Sequence, residues 1–290
     1  MRITHGMLTD TTIRNLSANL TRLEEFSNQL TSGKRIDRPS DDPVGVASAL
    51  SHRATLEQLE QHLKNIAGAK SWLEATDAAL DSAGAVLLRA RELAVQGAND
   101  SLSPEDRLAI RSEIDNLIEN VLQVSNATYS DQYLFAGART TTPAYAAGTP
   151  PAYQGDTTLI QREIAPGTNI TVNVVGQTPF DPIFSALAAL STALGANDTS
   201  AINAAISSLA SAHTTLLTTR AQVGARLNRL GAQEERLMTV QVNVTELLTK
   251  VEDTDYTATI TNFSTAQTVY KAALEVGART LQPSLLDYLR

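Results

Sequence analysis

The chain has no cysteine. Disulfide staples and thiolate metal sites are therefore excluded, and either a reducing or an oxidising compartment is permitted. Aromatic residues make up only 4% of its 290 positions, which suits long helices packed on thin seams better than a compact enzyme core. No stretch approaches the roughly 18 consecutive apolar residues of a membrane span, so no membrane partner is expected. Basic residues form no cluster and the formal net charge is -8. Phosphate-backbone binding lacks its electrostatic term, and nucleic acid is not expected either. The opening Met1-Arg2-Ile3-Thr4-His5-Gly6-Met7 has no apolar core of a secretory signal, so any export is expected to proceed without a cleaved signal.

What is present is heptad spacing at both ends. Ile13, Leu16, Leu20, Leu23, Ser27 and Leu30 fall at steps of three and four, as do Tyr256, Ile260, Phe263, Gln267, Tyr270, Leu274, Gly277 and Leu281. Such a stripe is apolar along one narrow line and requires a partner. One reading is an antiparallel helix pair inside a single monomer. The favoured one is an assembly surface, ordered only when neighbouring copies cover it.

Between the ends, Gly33 predicts the stop of a first helix over about 9–31. A polar linker with Pro39 and Pro43 follows. Asp42 then Pro43 reads as a carboxylate cap followed by proline at the first helical position. Leu56, Leu59, Leu63, Ile66, Leu73, Leu80 and Leu87 continue a helix to about Gln96, a run of roughly fifty residues or about 80 Å. Ser103-Pro104-Glu105-Asp106 opens another helix, with an apolar face of Leu108, Ile114, Leu117, Val121 and Leu122. From Tyr133 to Phe180 the pattern changes to period two. Residues 158–164 and 169–175 predict a hairpin around Pro166-Gly167, and Ala152-Tyr153-Gln154 a further short strand. Helix is predicted again from Asp181-Pro182, with a break at Gly195-Ala196-Asn197-Asp198. A long helix over about 199–252 then carries Leu216, Val223, Leu227, Leu230, Leu237, Val244, Leu248 and Val251, interrupted by Arg220, Glu234 and Gln241.

The expected fold is mainly α: a long antiparallel coiled-coil-like helical rod formed by the amino- and carboxyl-side segments, with a small β-rich domain inserted at one tip. The segments are an assembly helix and linker (1–40), the first half of the rod (41–132), the β insertion (133–180), the second half of the rod (181–255) and a carboxyl-terminal assembly helix (256–290).

Chemistry is sparse. His5, His52, His62 and His213 have no second ligand at helical spacing, so no metal is expected. Gly68-Ala69-Lys70-Ser71 resembles the tail of a phosphate loop but lacks its first glycine and lies in a helix. The pair Asp41 and Asp42 is explained by capping, and Trp72 reads equally as core or as interface anchor. The β stretch holds no His or Cys, and its charges Arg139, Asp156, Arg162 and Glu163 form no constellation. Neither an enzyme nor a cofactor is expected.

Ser32-Gly33-Lys34-Arg35-Ile36 with Asp41-Asp42, then Arg91-Glu92-Leu93-Ala94-Val95-Gln96, Asp106-Arg107 and Glu113-Ile114, resemble the amino-side helices of the flagellin superfamily. Gln222-Val223-Gly224-Ala225-Arg226-Leu227-Asn228-Arg229-Leu230 is similar to its carboxyl-side helix. Within the superfamily, Arg38-Pro39-Ser40-Asp41-Asp42-Pro43, Tyr133-Leu134-Phe135-Ala136-Gly137 and the ending Leu285-Leu286-Asp287-Tyr288-Leu289 resemble the hook–filament junction branch more than the filament subunits. Asp37 departs from the Asn common there. The resemblance implies a structural adaptor of the bacterial flagellum, exported by the flagellar type III apparatus with a chaperone on its carboxyl-terminal segment. Its partners would be hook-associated protein 1, flagellin and copies of itself in a ring. The assembly surface would then comprise Ile13, Leu16, Leu20, Leu23, Leu30, Tyr256, Ile260, Phe263, Tyr270, Leu274 and Leu281, with Leu285 and Leu286 beyond them. A filament subunit is the alternative, and a cytoplasmic coiled-coil scaffold a further one.

Overall fold

The computed structural model describes residues 5–148 and 150–281. Most of them lie in six helices: α1 (His5–Ser32), α2 (Pro43–Gly97), α3 (Pro104–Ser125), α4 (Gln177–Gly195), α5 (Thr199–Glu252) and α6 (Tyr256–Leu281). The fold is mainly α, and three two-stranded antiparallel sheets occupy the stretch between α3 and α4. The chain divides into two compact units, one of residues 1–58 with 240–290 and one of residues 59–239.

In the larger unit α2 and α5 run antiparallel on a seam of strict sevens. α2 buries Leu59, Ile66, Leu73, Leu80 and Leu87, and α5 buries Ile202, Leu209, Leu216, Val223, Leu230 and Leu237. A repeat of seven keeps one line of each helix against its neighbour. The polar interruptions of the predicted stripe become cross-links at the seam's edge. Arg220 reaches Asp77 at 3.0 Å and Asp81 at 2.5 Å, and Lys70 reaches Glu234 at 3.4 Å.

A second pair of helices covers this seam on one side. α3 opens on a capping box, in which the Ser103 hydroxyl accepts from Asp106 N–H and the Asp106 carboxylate accepts from Ser103 N–H. It lies along α2, where Arg89 meets Glu113 at 2.6 Å. α4 packs on α3, and Ser191 donates to Asp115 at 2.6 Å. The turns at this end are tied by the buried Arg107, whose guanidinium donates to the carbonyls of Gly97 (2.9 Å) and Asn99 (2.8 Å) and to the Asn197 side chain.

The predicted hairpin is present as β5 (Gln161–Ala165) and β6 (Thr168–Thr171), following β1 (Thr128–Tyr129), β2 (Gln132–Tyr133), β3 (Tyr145–Ala146) and β4 (Ala152–Tyr153). Gly167 takes φ +69° at the position where the Pro-Gly turn needs it. The ladder is shorter than the alternation predicts because Asn173 replaces it. Its side chain donates to Thr158 C=O and accepts from Ile160 N–H, both at 2.9 Å.

One expectation is corrected. α4 begins at Gln177 and not at Asp181-Pro182. Asp181 accepts the buried Tyr145 hydroxyl at 2.6 Å, so the acid serves the core instead of capping a helix. The β segment is anchored on the helices of the larger unit. α3 carries it back beside the helices: Asn65 of α2 donates to Glu163 C=O at 2.9 Å, Trp72 packs edge-on to Tyr129 at 6.1 Å, and Arg226 of α5 donates to Asn173 C=O at 3.0 Å. Trp72 is accordingly a buried core residue.

Candidate assembly interface

The smaller unit holds both predicted assembly helices. α1 stops at Gly33, whose φ of +72° closes the helix with a bond from its N–H to Gln29 C=O. The next residues form a clasp onto the α5–α6 joint. Thr254 N–H donates to Gly33 C=O at 3.0 Å, and Arg35 N–H to Glu252 C=O at 2.7 Å. The Arg35 guanidinium adds a bond to Val251 C=O at 2.9 Å. Glu252, its side chain only 9% exposed, receives Lys34 at 2.6 Å and also Arg53 of α2. The Ser32–Ile36 motif is therefore a fastening of three chain segments, and its residue types follow from that. Glycine turns the chain, the cations meet one carboxylate, and Ile36 is buried.

Asp41 and Asp42 behave as caps. Asp42 accepts Gly45 N–H at 2.9 Å at the start of α2, while Asp41 accepts Arg38 N–H at 2.8 Å and Asp37 N–H at 3.3 Å. These N–H groups stabilise the carboxylates and hold both below the usual aspartate range.

α1 and α6 pack antiparallel. Gly277 is buried against Thr12 and Leu16; a methyl group at its Cα would lie 3.1 Å from the Thr12 methyl. The covered line on α1 is Thr12, Leu16, Asn19, Leu23, Phe26 and Leu30; on α6 it is Thr259, Phe263, Ala266, Tyr270, Ala273 and Gly277. Both are heptad lines. Both lie partly one step round from the predicted stripes. Leu16, Leu23, Leu30, Phe263 and Tyr270 enter the seam, where they are half-buried. Ile13 (52% exposed), Leu20, Tyr256, Ile260 (56%) and Leu274 (45%) stay outside it. Small residues explain the offset: Thr, Ala and Gly let two backbones approach, so they take the contact line while larger apolar side chains remain beside it. The side chain of Leu281, and Leu285 and Leu286 altogether, lie outside the described residues.

Among the described residues no third layer lies over this pair, and its outer apolar flank is exposed. Met7, Leu8, Val269 and Val276 are exposed as well, at other positions round the two helices. Exposed apolar side chains that line up along one flank, as Ile13, Leu20, Ile260 and Leu274 do, mark an interaction site more often than a free surface. Sequence reasoning missed Thr12, Asn19, Phe26, Thr259, Ala266 and Ala273; the heptad spacing of small residues was the signal for the last three.

Residues 3–140 match the family model of the bacterial flagellin N-terminal helical region, and residues 200–289 that of the bacterial flagellin C-terminal helical region. The chain belongs to the bacterial flagellin family. Among similar family members is flagellar hook-associated protein 3 of Escherichia coli, 23% identical over an alignment that covers 94% of this chain and 95% of that one. The flagellar filament 30.7 kDa core protein of Treponema maltophilum is 28% identical, covering 96% and 95%. In fold, the chain resembles the flagellar junction protein FlgL from Legionella pneumophila, with a TM-score of 0.60, 17% identity, and coverage of 70% of this chain and all of that one. The helices that match the two family models include both members of the terminal pair.

Proposed function

We propose that this chain is a structural adaptor of the bacterial flagellum that joins the hook, through hook-associated protein 1, to the flagellin filament, and that it acts as a ring of identical copies. The observation that carries this reading is the terminal helix pair: its inner line is satisfied within the chain, while Ile13, Leu20, Ile260 and Leu274 offer a second apolar line to a neighbour. End-to-end similarity to a hook-associated protein supports the junction role. On this reading the helices are the working parts, no reaction is performed, and the protein reaches the outside of the cell through the flagellar export apparatus with a chaperone holding its carboxyl-terminal segment. Membership of the family supports a place in the flagellum.

Similarity over the whole chain to a filament core protein favours a second reading, a filament subunit. The two separate on one preparation. A junction adaptor stays in short oligomers when purified and concentrated, whereas a filament subunit polymerises into long fibres.

The decisive test is electron microscopy of cells lacking the protein, with flagellin measured in the medium. Complete hooks without filaments, and flagellin lost to the medium, are expected. Filaments of normal number in the deletion strain would overturn the proposal. Substituting Leu274→Asp places a charge on the open flank and is expected to abolish incorporation while the 59–239 unit stays folded.

A further inference from the structure

The larger unit has two outer faces of different character. α2 and α5 form one layer and α3 and α4 the other, since Arg89–Glu113 sets α3 on one flank of α2 and a shared cleft sets Ser185 and Ala189 of α4 beside Ser207 and Ser211 of α5. The opposite flank of α2 and α5 is bare. Leu88, Val95 and Leu217 lie there, 50%, 58% and 49% exposed. Arg91 stands between Leu88 and Val95, three residues from one and four from the other, so the three form one ridge on the helix. Among the described residues Arg91 has no ion-pair partner.

The outer side of the other layer holds a groove of about 1150 Å³ between α3 and α4. Ile118, Leu122, Ala188 and Ala189 line it together with Glu119 and with Asp115, which Arg111 meets at 3.8 Å and to which Ser191 donates. Asp198 and Arg111 also line it, so three carboxylates face one guanidinium. Alanines in the lining admit a helix closely, and the acidic residues among them suit a helix that carries an arginine between two aliphatic side chains.

We infer that the Leu88–Val95 ridge of one copy seats in the α3–α4 groove of the next, with Arg91 turned to Asp115 and Glu119. Ridge and groove lie on opposite faces of the same two-layered unit. The contact is therefore heterologous: each copy gives one surface and receives the other, and repetition closes into a ring where the rotation between copies allows it. This deepens the ring reading above and rests on it, but uses the larger unit and not the terminal helices. It also gives the exposed Leu88 and Val95 a role that the α2–α5 seam does not.

The absence of cysteine makes the test clean. A Val95→Cys, Ala189→Cys double variant, expressed in place of the wild type and oxidised on intact flagellated cells with copper phenanthroline, is expected to yield a ladder of disulfide-linked multimers. Each single variant alone is expected to yield none. No ladder from the double variant in cells that still bear filaments, or dimers from Val95→Cys alone, would overturn this pairing and leave the junction role standing. Conversely, if deletion of the protein left filaments intact, the junction role would fail, while a ladder would still establish lateral pairing. A charge exchange guards against a double variant that does not assemble. Arg91→Glu and Glu119→Arg are each expected to reduce filament number severalfold, and together to restore it; singles without effect, or no restoration in the double, would count against the inference.

Discussion

The α2–α5 pair of the larger unit and the α1–α6 pair of the smaller one obey the same heptad rule with opposite outcomes. In the first, large aliphatic residues at intervals of seven are buried, because α3, α4 and the β segment add a second layer. In the second, the seam is made of Thr, Asn, Ala and Gly with a few half-buried large residues, and the larger apolar residues beside it are exposed. Spacing fixes that two helices will meet along a line. Whether the line becomes a core depends on how many layers surround it. A heptad pair without a second layer remains partly wet, and its outer apolar residues are available to another molecule.

The comparison breaks most readily at its well-packed end. Leu80 is fully enclosed in the α2–α5 seam, and Leu80→Ala is expected to cost about 2–5 kcal/mol, the range for a leucine deleted from a core that cannot collapse around the gap. Denaturant unfolding of the isolated chain measures it. A loss below about 1 kcal/mol would mean that this seam is as loosely covered as the terminal one.

Alkaline pH gives the next largest effect and stays within the larger unit. Tyr145 and Tyr153 donate their hydroxyls to Asp181 and to the carbonyls of Phe135 and Asp156. Burial is the first cause raising both phenols, Tyr153 to about 12 and Tyr145 further. A phenol raised in the folded state contributes fully below the unfolded value of about 10. That contribution falls as the unfolded state ionises, and is gone for Tyr153 once pH passes about 12. Tyrosinate absorbance should therefore show two of the seven tyrosines ionising late, together with loss of the β segment. Simple titration of all tyrosines near pH 10 would contradict the burial of this cluster.

How far the sequence discloses these arrangements follows the same physics. The α2 and α5 seams are legible in their middle, where Leu59, Ile66, Leu73, Leu80 and Leu87 and Leu216, Val223, Leu230 and Leu237 recur at sevens. Ile202 and Leu209 are missed, and Leu56, Leu63, Leu227, Val244, Leu248 and Val251 join the predicted stripe without being buried. Caps are legible too: Ser103 with Asp106, and Asp42 before Pro43, each signal a helix start by local hydrogen bonding alone. Asp181-Pro182 carries the same signal and misleads, because its carboxylate is claimed by Tyr145, 36 residues away. The α6 face is misread for another reason. Apolar size selects Tyr256, Ile260 and Leu274, whereas close approach selects Thr259, Ala266, Ala273 and Gly277, and hydropathy does not register the advantage of being small. β3 lies below the length at which alternation can be recognised. The clasp at Glu252 joins residues some two hundred positions apart, and only the resemblance of the Ser32–Ile36 motif marked it beforehand.

That clasp is the next place to sharpen the contrast. Glu252→Gln keeps the shape and removes the charge that holds Lys34 and Arg53. Both cations are nearly half exposed, so water takes them back and the loss is reduced to about 1–2 kcal/mol, less than for a buried pair broken on one side. The effect should be local: amide exchange is expected to quicken at Gly33–Ile36 and Thr254–Thr259, while Leu73–Leu87 keeps its protection. Uniform quickening across both units would mean that they unfold as one.

The smallest stability change is expected where the two pairs differ most. Ile260 is 56% exposed on the outer side of α6, and Ile260→Ser removes little that the isolated chain has buried. The melting curve of the free protein should shift by less than about 0.5 kcal/mol. Incorporation into the flagellum should nevertheless fall sharply, since the same side chain becomes core only when a neighbour lies over it and a hydroxyl there forfeits that burial. Stability and assembly thus separate at this residue, whereas at Leu80 they fall together. A variant that melts early and still assembles would place Ile260 inside the chain's own packing and return the terminal pair to the class of ordinary internal helices.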